Sequence, residues 1–125
     1  MSTVPIDKFQ QAIDKALKEY AGSVKEHLDD ITRVFAKKGA QAVKQAARGT
    51  FGGTGKYAAG WTSQIETGRV SVQGQIFNEK VPGLPHLLEN GHAKRGGGRV
   101  PGRVHIAPVE EKIATEFQKA VEEKL

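Results

Sequence analysis

Cysteine is absent from the 125 residues of this chain, which excludes a disulfide framework and any metal site built on thiolates. Long apolar runs are missing too. None approaches the roughly 20 residues that a membrane-spanning helix needs, and the opening segment MSTVPIDKFQ has no apolar core of the kind a signal peptide carries. A cytosol-like compartment, or a particle assembled there, is the expected location, with no membrane partner. No internal repeat is visible. The apolar share of 38% and charged share of 26% fit one soluble globular domain, residues 1–125, with a modest core.

What the chain has in excess is glycine, 15 residues where about 7% is usual, and most of it follows residue 48. Charge is uneven as well. The net +5 divides into +3 over residues 1–48, +4 over 49–107 and −2 over 108–125. A basic middle and an acidic tail suit head-to-tail contact between copies or contact with nucleic acid. The same charge serves equally to keep a small protein soluble.

Helical spacing dominates the first third. Ile6, Phe9, Ile13, Leu17 and Tyr20 form an amphipathic stripe, with Thr3 as a cap, Pro5 in the first turn and Asp7 at the positive end of the dipole. After Gly22-Ser23 a second stripe runs through Val24, Leu28, Ile31, Phe35, Ala42 and Ala46, so helix is expected over 4–48. The glycine-rich Gly49–Gly55 segment is expected to end it and to act as a hinge or late-docking loop. Period two then takes over. Tyr57, Ala59, Trp61, Ser63 and Ile65 alternate with Lys56, Ala58, Thr62, Gln64 and Glu66, and Val70, Val72, Gly74 and Ile76 continue beyond Thr67-Gly68, predicting a hairpin over 56–77 with Trp61 in the core. A short helix is predicted over 84–90, ended by Gly91 in the left-handed position. Arg103–Ile106 reads as a short strand, and Pro108 opens a last helix over 108–124 with the stripe Val109, Ile113, Phe117, Ala120 or Val121, and Leu125. The expected fold is α+β: two N-terminal helices and a C-terminal helix packed on a small, mainly antiparallel sheet with a central hairpin.

The run Lys94–Arg103 holds four cations, Lys94, Arg95, Arg99 and Arg103, and four glycines, with no acid. Such a segment cannot build a core, yet ordered elements hold both its ends, which describes a tethered, positively charged loop over 94–103 aimed at a partner. Glu89 and Gly91 before it and Pro108 after it are the expected anchors. The glycine ends a helix, and the carboxylate accepts backbone or arginine hydrogen bonds that fix where the loop departs. Phosphate could be cradled by Gly96-Gly97-Gly98, but no GxxxxGK[ST] or GxGxxG opens a helix here, and no aromatics interleave to stack bases. His27, His86, His92 and His105 match no metal-ligand spacing and read as surface or loop residues. Glu89 with His92 could be imagined as an acid/base pair, but Ser63, Thr67 and Ser71 lie in the hairpin rather than in a nucleophile motif. No catalytic residue, metal or cofactor is expected.

Three short motifs resemble the tail-completion, or head–tail joining, family of long-tailed bacteriophages, the group of minor tail protein Z-like neck proteins. They are Gly53-Thr54-Gly55-Lys56-Tyr57 after the helical half, Leu87-Leu88-Glu89-Asn90-Gly91-His92, and His105-Ile106-Ala107-Pro108-Val109-Glu110 before the last helix. Family members often carry Thr where His92 stands and an aromatic at Val104 or His105. The likeness covers most of residues 50–120. It implies an α+β subunit without enzyme activity that forms a homo-oligomeric ring, expected as a hexamer, in the virion neck. Its neighbours would be the head connector or adaptor and the tail terminator or tail tube, with DNA backbone passing in the lumen, after assembly in the host cytoplasm. The alternative from the residues themselves is a small DNA-binding protein using the 94–103 arm.

Overall fold

The computed structural model describes residues 7–19, 25–52, 55–69 and 71–124. Its order is α1 (Asp7–Glu19), α2 (Lys25–Phe51), α3 (Lys56–Ala59), β1 (Trp61–Thr67), β2 (Val72–Asn78), α4 (Leu84–Asn90), β3 (Gly91–Ala93), β4 (Arg99–Pro101) and α5 (Ala107–Lys124). The fold is α+β. Thr3, Pro5, Tyr20, Ser23, Val70 and Leu125, which figure in the sequence patterns, lie outside the described residues.

Phe9, Ile13 and Ala16 on α1 are buried at three- and four-residue spacing, as are Ile113, Phe117 and Val121 on α5. On α2 the buried face runs Leu28, Thr32, Phe35, Ala36, Gly39, Ala40, Val43 and Ala47, small toward its C-terminal half so that neighbours approach closely. Phe9 and Phe35 meet Phe117 edge-on at 5.5 and 5.9 Å, joining the three long helices. Burying each such ring contributes about 1.5–3 kcal/mol. β1 and β2 pair antiparallel from Trp61↔Asn78 to Thr67↔Val72. One face of this sheet, with Trp61, Val72, Gly74, Ile76 and Asn78, packs on α1 and α2. A Cβ on Gly74 would stand 2.9 Å from the Phe9 ring, so glycine there sets how closely α1 rests on the sheet.

Four expectations need correction. The helix does not stop at residue 48: Gly49, Thr50 and Phe51 continue α2, because Phe51 packs its ring on Tyr57 and His105 at 5.7 and 4.8 Å, and that contact outweighs glycine's poor propensity. The strand does not begin at residue 56. Lys56–Ala59 make one helical turn, with the Ala59 N–H donating to Gly55 C=O at 2.8 Å, and this turn buries Ala58. Asn78, itself buried, donates through Nδ2 to Tyr57 C=O at 2.8 Å and holds the turn in place. Arg103–Ile106 pairs in no strand, since the N–H groups of Arg103, His105 and Ile106 go to α4. Finally, the strands form two separate two-stranded sheets, β1–β2 and β3–β4. The second has β4 inside the run read as a loop and β3 just before it.

Candidate interaction site: a basic hairpin and its clasp

The chain leaves α4 and at once forms a small hairpin. Gly91 has φ 81° and ψ 172°, so it is not the left-handed helix end that was expected but the first residue of β3. Glycine is required twice over, because a Cβ there would also meet Val100 C=O at 2.5 Å. β3 and β4 pair Gly91↔Pro101, His92↔Val100 and Ala93↔Arg99. The tip closes through Lys94 N–H to Gly98 C=O at 2.9 Å and Gly97 N–H to Lys94 C=O at 3.3 Å. Gly96, Gly97 and Gly98 take φ of 89°, 114° and 82°, a sequence of dihedrals that side-chain-bearing residues adopt only with strain.

The returning chain is clasped onto the end of α4. Arg103 N–H donates to Leu88 C=O at 2.7 Å. The Glu89 carboxylate then accepts three successive backbone N–H groups: His105 and Ile106 on Oε1 at 2.8 and 2.9 Å, and Ala107 on Oε2 at 3.0 Å. Ile106 and Ala107 are among the donors that the start of α5 leaves without intrahelical partners. A carboxylate at that helix end also meets the positive end of the dipole. Burial pushes the Glu89 carboxyl up, but the three N–H donors and neighbouring His105 outweigh it and hold the group below the ordinary carboxylate value.

His105 completes the clasp. Its Nδ1 lies 2.9 Å from Arg103 C=O and 3.0 Å from Glu89 Oε1; both oxygens only accept, so the proton sits on Nδ1. In the neutral ring Nε2 then accepts from the Tyr57 hydroxyl at 2.7 Å. Burial raises the Tyr57 phenol well above its ordinary value, and the Glu89 charge adds to this. The Trp61 indole N–H lies near the hydroxyl and opposes the rise, yet falls short of a hydrogen bond with any described residue. His105 does lie in a segment without regular structure, but it is not at the surface: it is 3% exposed. It lies under Phe51 and Tyr57, at 4.8 and 5.6 Å between centroids. The Tyr57–His105–Glu89 string is a part-buried tie between α3, α4 and the segment that opens α5.

The four cations of the run divide into two pairs. Arg103 Nη1 donates to Thr50 C=O at 3.1 Å, at the C-terminal end of α2, and its guanidinium lies 6.0 Å from the Phe51 ring centroid. Arg99 Nη2 donates to Asn90 C=O at 3.0 Å, at the end of α4. Both serve helix ends, where a cation meets the negative end of the dipole. Lys94 and Arg95 are exposed at the hairpin tip without a side-chain partner among the described residues. Pro108 is exposed in the first turn of α5, where its missing N–H costs nothing.

His92 is half-buried on β3 with Nδ1 3.2 Å from Ala93 C=O. His86 faces Asn90 on the surface of α4 at 3.4 Å, and His27 is exposed on α2. Among the described residues no three His, Asp or Glu side chains converge on one point, and no helix is long and apolar enough to cross a membrane. Sequence reasoning gave Phe51 no role, placed Tyr57 on a strand rather than in this clasp, and missed the buried state of His105. The available signals were an aromatic set among glycines, Gly49-Thr50-Phe51-Gly52, and a histidine flanked by Val104 and Ile106. Comparisons of this chain with protein-family models, curated proteins and solved structures return no match.

Proposed function

We propose that this protein is a non-enzymatic structural subunit of a long-tailed phage neck, forming a homo-oligomeric ring between the head connector and the tail. The observation that carries the reading is the basic hairpin. Two of the three motifs shared with the head–tail joining family, Leu87–His92 and His105–Glu110, meet in space as the clasp that aims it. A rigid base with a glycine tip bearing Lys94 and Arg95 suits contact with an acidic protein surface. The acidic α5 of another copy, with Glu110, Glu111, Glu116, Glu122 and Glu123, has the complementary charge. On this reading the ring is a hexamer assembled in the host cytoplasm.

The test is assembly of the full chain with purified heads and tails, with electron microscopy of the joined particles. Rings at the neck and a loss of joining on Lys94→Ser with Arg95→Ser are expected; normal joining by that variant sinks the role of the arm. The same two cations at a glycine tip favour one second reading, backbone contact with DNA. It predicts binding to duplex DNA that weakens steeply with salt, and salt-independent or absent binding rules it out.

A further inference from the structure

A two-stranded sheet has two outer edges, and here only one is closed. The side chain of Gln10 on α1 reaches β2 and reproduces a strand's pairing: its Nε2 donates to Val72 C=O at 3.2 Å and its Oε1 accepts from Gly74 N–H at 2.9 Å. Val72 and Gly74 therefore point away from β1, and Gln73, Gln75 and Phe77 point toward it. Glu79 N–H donating to Gly60 C=O at 2.9 Å fits the same alternation. It follows that the N–H and C=O groups of Ser63, Ile65 and Thr67 face outward from β1. Among the described residues they have no hydrogen-bond partner.

Exposed edges of this length are ordinarily blunted by lysine, proline or a bulge. β1, Trp-Thr-Ser-Gln-Ile-Glu-Thr, has none of these, and its one charge is the exposed Glu66. Ile65 lies on the helix-facing side opposite Gly74 yet is only half-buried, so the apolar face of β1 extends past the cover that the helices provide.

The geometry points to a second copy of this chain as the occupant, adding antiparallel through β1 about a two-fold axis at Ile65. In that register Ile65 exchanges both backbone bonds with its own copy, and Ser63 exchanges them with Thr67 of the other chain, twice by symmetry. The two half-buried Ile65 side chains meet. On the outer face Gln64 stands opposite Glu66 of the second copy, so the register places no like charges together, and amide N–H can donate to carboxylate. The result is a continuous four-stranded sheet, β2–β1 followed by β1–β2 of the other chain. A β2–β2 pairing is closed off by Gln10, and β4 offers a short edge interrupted by Pro101. This inference does not rest on the neck reading; a subunit that dimerises but joins no heads to tails sinks that reading alone.

The test uses the full chain in analytical ultracentrifugation over micromolar to millimolar concentration, with amide hydrogen exchange at Ser63, Ile65 and Thr67. Two-copy mass and concentration-dependent protection of those three amides are expected. Gln64→Glu should weaken association about tenfold, because it sets two like-charge pairs across the axis, and Gln64→Lys should strengthen it by placing opposite charges there. Ser63→Pro should abolish association while circular dichroism stays unchanged, since that N–H faces outward from the β1–β2 ladder. A monomer throughout the range overturns the proposal, as does an oligomer in which the two Gln64 variants behave alike or the three amides stay unprotected.

Discussion

The Tyr57 hydroxyl donates to Nε2 of His105 at 2.7 Å, across 48 residues of sequence, and this bond ties the helical turn before the first sheet to the segment that opens the last helix. Tyr57→Phe removes the donor and leaves the ring nitrogen buried and unpartnered. The expected loss is about 1–2 kcal/mol, read as a lower urea midpoint with an unchanged m-value.

The same tyrosine sets an alkaline limit. Folding raises its pKa, so its contribution is fully present below the unfolded value of 10.0 and declines as pH rises above it. Stability of the wild type should fall from about pH 10 upward, and Tyr57→Phe should flatten that limb. Parallel limbs in the two proteins would show that the phenol is not the group responsible.

Glu89 sets the acid limit with the opposite sign. Its folded pKa is lowered from 4.5, so its contribution is present above that value and is lost as pH falls below it. Glu89→Gln keeps one acceptor oxygen for three donors and loses the charge. We expect it to cost about 1–3 kcal/mol at neutral pH and to reduce the dependence of stability on pH below 4.5, measured by denaturant titration across pH 2–7.

The two pairs of cations should separate in mutagenesis. Arg103→Ala and Arg99→Ala lose contacts to the ends of α2 and α4 and should lower the thermal midpoint. Lys94→Ser with Arg95→Ser should change stability by no more than about 0.5 kcal/mol, as surface substitutions ordinarily do, while impairing whatever the tip engages. A large stability loss in the double variant would mean that the tip cations have an internal role.

Gly91→Ala tests the hairpin base. A Cβ would need positive φ and would press on Val100 C=O at 2.5 Å, so a loss of about 1–3 kcal/mol is expected. The exchange of the β3–β4 amides should report it locally, and retention of both the native midpoint and hairpin protection would contradict the geometry.

The parts of this fold that were legible in the sequence are those where spacing and burial agree. Phe9–Ile13, Leu28–Phe35 and Ile113–Phe117–Val121 are buried at helical spacing, and Trp61, Val72 and Ile76 at strand spacing. The errors fall where a distant partner overrides a local signal. Gly49 predicts a helix end, but Phe51 has a docking site on residues far along the chain. Tyr57 and Ala59 look like strand residues because they extend the alternation of Trp61, Ser63 and Ile65, yet Asn78 holds the turn they belong to. In the candidate site, Glu89 as an acceptor of backbone N–H groups could be read from its chemistry and place. That Arg99 and Arg103 turn back onto helix ends could not, because charge composition says nothing about which cations find internal carbonyls.

The first helix of this chain has little to rest on but late arrivals. α1 packs on α5 and β2, with far less contact to α2, and Lys8 N–H at its start donates to Glu110 Oε1 at 3.1 Å. During synthesis, then, Phe9, Ile13 and Ala16 emerge before the elements they pack on, since their main support, α5, is translated about a hundred residues later. Until α5 is released, that apolar stripe lacks its largest cover, and its burial is completed only when α1 and α5 meet.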